Sequence, residues 1–287
     1  MKNSDLHVHS YYSDGDLSPE EVVRLAKQKG VKNLALADHN SFDGVAEAIK
    51  EGKKQGMNII PAIEIRAGKD EVLGYFIDYE NEKLKKEILK IQENLINRVK
   101  KIIIKLNKKG IKVNFENLLD RYYPNRNFME IHLIKYLKSK GYGDIRELWS
   151  KYISKEGETY VPIKEISVLN AIKLIKEYGG VPVLAHPWAE ISSKELLKEE
   201  NFKKLIKAGL KGIETDNGDR DERRDKQTLK RIRELAKKYN LVVTSGSDFH
   251  GDYLVQATNC HGLGDYNCDE KVVEGLISSV PSRINPN

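Results

Sequence analysis

Along the first eighty residues, short apolar runs alternate with amphipathic stretches. "LHV" at Leu6 to Val8 is followed by a helical pattern from Pro19 to Gly30, then "NLALA", a second helical pattern from Asp43 to Gly56, and "NIIPAIE". The first helix carries its own start signal, with Ser18 as cap, Pro19 in the first turn and Glu21 three residues after the cap. Strand followed by helix, repeated, predicts a parallel sheet, either open or closed as a barrel. From about Asn81 to Gly110 the pattern becomes one long amphipathic helix, with Leu84, Ile88, Ile91, Leu95, Val99, Ile102 and Leu106 at steps of three and four. Helical character persists to about Lys155. After Tyr160 the alternation returns: a helix ending near Gly179 and Gly180, "VPVLAH", a Lys-rich helix, "GIETDN", a charged helix from Arg220 to Tyr239, and "LVVTSGSDFH". The expected organisation is an α/β layer formed by residues 1–79 and 160–287, split by a helical insertion at 80–159.

Composition narrows the class without naming a chemistry. A chain of 287 residues with 39% hydrophobic and 32% charged residues is long enough for a buried core and excludes wholesale disorder. No apolar run approaches the roughly 18 residues that a membrane span needs, and the N-terminus has no apolar signal core. A cytoplasmic protein with no membrane partner is expected. The net charge of +6 favours anionic substrates without demanding a nucleic-acid role. Cys260, Cys268 and His261 lack a fourth ligand at zinc-site spacing and read as ordinary residues. The run "GDRDERRDK", Gly218 to Lys226, reads as a helix start with solvated ion pairs.

The candidate chemistry lies at the ends of the strands. In "DLHVHSYYSDG", Asp5 to Gly15, an extended backbone puts Asp5, His7 and His9 on one face and Leu6 and Val8 on the other. His7 and His9 end the first strand, Asp38 and His39 follow "NLALA", Glu64 follows "IIPAI", His186 follows "VPVLA", and Asp248 and His250 follow "LVVTSGS". Carboxyl ends of parallel strands converge on one mouth, so five strands deliver imidazole or carboxylate to one place. Five of the chain's seven histidines occupy this position, which separately satisfied core histidines do not explain. Mixed imidazole and carboxylate ligands suit Zn, Mn or Fe, and eight or nine of them exceed the shell of one ion. Clustered divalent ions clamp phosphate oxygens and acidify a bound water, a common arrangement for phosphate-ester hydrolysis. The sequence has neither a Gly-rich phosphate loop nor a GxSxG elbow, so nucleotide-driven and serine-esterase chemistries are unsupported.

These motifs together resemble the polymerase and histidinol phosphatase (PHP) family of metal-dependent phosphoesterases. The resemblance rests on "DLHVHSYYSDG", "ALADHNSFDG" with "IIPAIEI", "VLAHPW" and "GSDFHG". "EIHLIKYLKSKG", "ETYVP" and "NAIKLIKEYGGVPVLAHP" are similar to the bacterial subgroup acting on nucleotides and short oligonucleotides, and the match spans essentially the whole chain. It implies a distorted (β/α)7 barrel, TIM-like, with an inserted small helical domain and two or three divalent ions (Mn, Zn or Fe). Carried over by position, His7, His9, Glu64 and Asp248 hold one ion, Glu64 and His186 share a second, and Asp14, His39 and His250 hold a third. Asp5 and Asp38 are then expected to orient ligands from behind. His132 falls where the subgroup has a histidine near the substrate phosphate, and with Asp248 and His250 makes up the expected catalytic set.

Two positions depart from the subgroup. Glu71, or Asp70 if the register slips by one, stands where a metal-binding histidine is expected before "LGYF". A carboxylate there hardens the second site toward Mn or Fe. Glu130 stands where the subgroup has an arginine, and a carboxylate beside a phosphate repels it, which points to a different substrate; Arg126 or Arg121 is the candidate replacement contact. The leading expectation is a metal-dependent phosphoric ester hydrolase acting on nucleotides or short oligonucleotides, as a phosphatase or 5′–3′ exonuclease, by metal-activated hydroxide. Histidinol-phosphate phosphatase and a non-catalytic metal-stabilised scaffold are the alternatives. Oligomeric state is left open.

Overall fold

The computed structural model describes residues 2–125, 127–187, 193–215, 226–251 and 262–281. Arg126, Cys260, His261 and the run from Gly218 to Asp225 lie outside them. The first half of the barrel alternates as the pattern predicts: β1 (Lys2–Val8), α1 (Pro19–Gln28), β2 (Asn33–Leu36), α2 (Val45–Gln55) and β3 (Asn58–Ala67). Ser18 caps α1 in a full capping box with Glu21. Next comes β4 (Asp70–Tyr75), and here the structure departs from an all-parallel sheet, because β4 runs antiparallel to both of its neighbours. The cause is local: Gly68, at φ +77°, and Lys69 turn the chain directly from β3 into β4, leaving no room for the crossover that a parallel strand requires.

The insertion contains α3 (Glu82–Lys108), α4 (Phe115–Tyr122), α5 (Glu130–Ser139), α6 (Ile145–Leu148) and a π-helical turn, Trp149–Ile153. The barrel resumes with α7 (Val168–Glu177), β5 (Val181–Leu184), α8 (Ser193–Leu196), α9 (Glu199–Ala208), β6 (Gly212–Glu214), α10 (Lys226–Lys238), β7 (Val242–Thr244), β8 (Cys268–Asp269) and α11 (Glu270–Ser278). The sheet order is β7-β6-β5-β4-β3-β2-β1-β8. It closes because the segment after β7 returns to β1: Leu6 N donates to Ser245 O (3.3 Å), Asp248 N to His7 O (2.8 Å) and His9 N to Phe249 O (2.9 Å). Seven strands thus form a ring, with β8 added outside β1, and the distorted (β/α)7 barrel is the observed architecture.

Leu6, Ala35, Ile60, Leu73, Tyr75, Val181 and Val183, drawn from five successive strands, pack together inside this ring. Strands buried on both faces read as continuous apolar runs, which is why β2 and β5 lack alternation. Helix α3 serves two cores. Its first turns, at Leu84 and Ile88, join the helix layer around the barrel, whereas Val99, Ile102 and Leu106 pack with Phe128, Leu133, Leu137 and Leu148 in a core of the insertion. Among the described residues, no helix is long and apolar enough to cross a membrane.

Closure of the ring depends on close backbone approach at Gly246. A Cβ added there would lie 2.3 Å from His7 Cβ and 2.4 Å from His7 N. Gly246→Ala is therefore expected to destabilise the fold by about 1–3 kcal/mol through forced displacement of β1. Thermal unfolding of the metal-free protein measures this, and a melting temperature equal to that of the wild type would show that β1 can give way.

Candidate metal centre at the barrel mouth

The mouth gathers the polar ends of the strands into one site. His7, His9, Glu64 and Asp14 are all buried. His7 Nε2 lies 3.1 Å from Glu64 Oε2 and 3.4 Å from Asp248 Oδ1, and His9 Nε2 lies 3.4 Å and 3.2 Å from the same two oxygens. None of these four atoms has a hydrogen-bond partner. Buried polar atoms are almost always paired, and four unpaired ones pointed at one another fit the ligand shell of a cation. The spacing fits as well, since a tetrahedron of ligands at about 2.1 Å from a metal has edges of about 3.4 Å.

Two further groups adjoin the first. His186 Nε2 is 3.0 Å from Glu64 Oε1 and 3.3 Å from Glu71 Oε2, so Glu64 faces two groups with its two oxygens. Pairing of Arg66 with Glu71 and Ala67 with Asp70 across the β3–β4 hairpin puts Glu71, rather than Asp70, in this cluster. In the other group, Asp14 Oδ1 lies 3.3 Å from His250 Nε2 and 3.9 Å from His39 Nε2. His250 Nδ1 donates to the Asp248 carbonyl (2.7 Å), which leaves Nε2 to face Asp14. His39 stands between these two groups, with Nδ1 3.1 Å from Glu64.

The electrostatics are those of a site built for cations. Burial opposes the charge of Asp14, Glu64 and Asp248, yet the surrounding imidazoles hold all three carboxyls well below the usual range. His9 and His250 stack with ring centroids 4.0 Å apart. Burial and the neighbouring His250 push His9 down to about 3, while burial of His250 is outweighed by Asp14 and Asp248, which raise it to about 10. Asp248 occupies the left-handed region at φ 53°, a conformation that costs a non-glycine residue of order 1 kcal/mol, and β1 pairing holds it there.

The residues behind the ligands differ from expectation in an informative way. Asp5 accepts backbone N–H groups of Ser247 and Gly264 (2.9 Å each), and so ties the loops after β7 to β1. Asp38 accepts from the Ser10 and Ser13 hydroxyls (2.7 and 2.6 Å), and Ser13 Oγ in turn stands 3.4 Å from His9 Nδ1. The carboxylate that directly orients an imidazole is Glu214 at the end of β6, 3.2 Å from His7 Nδ1 and accepting from His186 N (2.9 Å). Glu214 escaped the sequence reading, although "GIE" ends a strand in the same way as the other ligand-bearing runs.

His132 was expected to face the substrate phosphate. Instead Met129 N donates to its Nδ1 (3.0 Å) and its Nε2 contacts the Ser13 carbonyl (2.8 Å), so both ring nitrogens are engaged by the protein, and burial pushes the ring down to about 4. It belongs to a set of insertion side chains that grip the ligand loops: Asn125 reaches the Ser13 carbonyl, Lys135 the Asp14 carbonyl, Asn127 the His39 carbonyl and Gln92 the Asn40 carbonyl. Glu130 is not a bare charge. Burial opposes its ionisation, but Arg66 (3.0 Å) and Arg98 pair with it and hold it below the usual carboxylate range. Arg121 is exposed on α4 beside the Tyr122 ring.

A cavity of about 680 Å³ opens at Asp14, His39, Glu71 and His186 and extends along the insertion, past Arg66, Arg98, Trp149 and Tyr160. This is the size of a small-molecule site, typically about 300 to 1,000 Å³. Residues 5–246 match the model of the PHP domain. The chain belongs to the PHP domain family. A phosphoribosyl 1,2-cyclic phosphate 1,2-diphosphodiesterase of Eggerthella lenta is 30% identical, with 87% of this chain and 94% of that protein covered. A 3′,5′-nucleoside bisphosphate phosphatase of Chromobacterium violaceum is 29% identical, with 87% of this chain and 88% of that protein covered. A solved structure from Bifidobacterium adolescentis shares the fold, with a TM-score of 0.86 at 23% identity over 99% of this chain and 98% of that one. Both named relatives hydrolyse phosphate esters, the reaction class expected from the PHP motifs, and the His, Asp and Glu clusters of this chain are able to bind metal.

Glu214 offers a sharp test of the geometry. Glu214→Gln keeps the size and removes the charge behind His7, and is expected to weaken Mn binding about 10- to 100-fold. Calorimetric titration of the metal-free protein measures it, and unaltered affinity would mean that His7 needs no carboxylate behind it.

Proposed function

We propose that this protein is a metal-dependent phosphoesterase acting on nucleotides or short oligonucleotides. The observation that carries the reading is that the unpartnered ligand atoms of the mouth adjoin a cavity able to hold a small organic phosphate. In this reading His7, His9, Glu64 and Asp248 hold one ion, Glu64, Glu71 and His186 a second, and Asp14, His39 and His250 a third. The donor set suits Mn, Zn or Fe, and Glu71 in place of a histidine favours the harder Mn or Fe at the second position. Bound divalent ions would neutralise the phosphate charge and acidify a water for attack on phosphorus.

The remaining roles belong to the chain itself. Glu214 holds the His7 ring, Asp38 acts on His9 through Ser13, and Asp5 fastens the Asp248 loop to β1. Asp248 keeps one oxygen among the imidazoles while its side chain is 44% exposed, so it can meet a substrate as well as a metal. His132 is read as a positioning residue for the Asp14 loop rather than as a proton donor. The domain division follows the same logic: residues 1–79 and 160–287 supply the ligands, and 80–159 supplies cavity wall and loop support. A nucleotide substrate also accords with a cytoplasmic location.

Elemental analysis of the purified protein, beside phosphate release from nucleotides with added Mn, tests this reading. Roughly two or three ions per chain are expected. In His9→Ala the release is expected to fall by at least about 100-fold, since loss of a ligand should cost no less than loss of a group behind one. No bound metal and no His9-dependent release would leave a scaffold without chemistry.

A further inference from the structure

The part of the cavity beyond the metal ligands has a chemistry of its own. Two arginines enter it from β3 and α3, but both are engaged by carboxylates. Arg66 pairs with Glu130 (3.0 Å) and Glu165 (2.8 Å), and Arg98 pairs with Glu130. Arg98 also donates Nε to the Val161 carbonyl (2.8 Å) and Nη2 to the Ile153 carbonyl (3.4 Å), while its guanidinium stands 5.8 Å from the Tyr160 ring. These two cations are balanced within the protein, so they offer little net charge to a second phosphate.

Beside Lys69, Lys155 and Glu156, the rest of this wall carries two aromatic side chains, Trp149 and Tyr160. Trp149 lines the cavity and is 37% exposed, although Tyr152 and Ile153 of the same π-helical turn are buried in the insertion core. The π-helical turn, a form that recurs at functional sites, leaves Trp149 uncovered while its neighbours pack inward. Arg98 braces both aromatic-bearing segments through the Ile153 and Val161 carbonyls, so Trp149 and Tyr160 border one cavity from a shared support. An uncovered indole beside a charge-balanced wall favours a planar, uncharged ring over another anion.

We propose that this part of the cavity is a nucleobase subsite, with the base stacked on Trp149 and the reacting phosphate directed to the metal ligands. The substrate is then recognised by its base as well as its phosphate, a specification that rests on the phosphoesterase reading above. Tyr160 closes the subsite beside Arg98.

Adenosine 5′-monophosphate and ribose 5-phosphate carry the same ester with and without a base, and so separate the two parts of recognition. With the Mn-loaded protein, Trp149→Ala is expected to lower the ratio of kcat/KM for the nucleotide to that for the sugar phosphate by roughly 5- to 150-fold, with Trp149→Phe restoring most of it. A ratio unchanged within about twofold would overturn the subsite, because stacking on an aromatic face is worth more than that. Titration of tryptophan fluorescence with adenosine gives a second readout that needs no turnover. Saturable quenching lost in Trp149→Ala supports the subsite even if the phosphoesterase reading fails, whereas the absence of quenching in the wild type counts against the subsite alone.

Discussion

Burial of unshared lone pairs is the constraint on which this structure depends. The barrel mouth holds His7, His9, His39, His186 and His250 against Asp14, Glu64, Glu71 and Asp248, most of them buried, with His7 Nε2, His9 Nε2, Glu64 Oε2 and Asp248 Oδ1 left without hydrogen bonds. Such a cluster is costly unless cations complete it. The surrounding structure supplies compensation that does not compete for the same atoms. Glu214 faces the far nitrogen of His7, the Asp248 carbonyl takes the far nitrogen of His250, and Asp5 and Asp38 bind backbone and hydroxyl groups. His7 and His250 thereby each turn one defined nitrogen, Nε2, to the centre.

The barrel does not hold this arrangement alone, because the loops that carry Asp14 and His39 are gripped by the insertion. Asp14 and His39 follow β1 and β2 by several residues or by a sharp bend, and their backbone carbonyls, or those beside them, accept hydrogen bonds from the insertion. His132, Asn125 and Lys135 act on the Ser13–Asp14 segment, and Asn127 and Gln92 on His39 and Asn40. The two cores are joined by α3, whose first turns pack on the barrel and whose later turns pack in the insertion. The insertion is thus both a wall of the cavity and a brace for the centre.

The two departures from the subgroup pattern are both accommodated by charge. Glu71 enters the cluster beside His39 and His186, where burial and Glu64 raise it above the usual carboxylate range and the histidines oppose that rise. Glu130 is met by Arg66 and Arg98, so the carboxylate that looked hostile to phosphate is internally balanced. The cavity next to the histidine and carboxylate cluster is therefore less cationic than its two arginines suggest.

Sequence alone determined the strand and helix alternation, the long α3 and the convergence of ligands, because hydrophobic period and residue type at strand ends are local properties. His7, His9, Glu64 and Asp248 were legible for that reason, and the structure brings them within 3.1 to 3.4 Å across the histidine–carboxylate contacts. Glu214 stood in the same kind of position, but a lone glutamate after a short strand looks like any polar strand end until the ring closes around His7. The hairpin that reverses β4 was signalled only by Gly68 and its flanking runs, and the regular alternation on either side outweighed it. Only tertiary structure decided which nitrogen of each histidine faces the centre, that His132 is spent on Ser13, and that Glu130 meets two arginines. Those outcomes depend on contacts between segments separated by 32 to 207 residues, whose distances exist only once the barrel has closed and the insertion has docked.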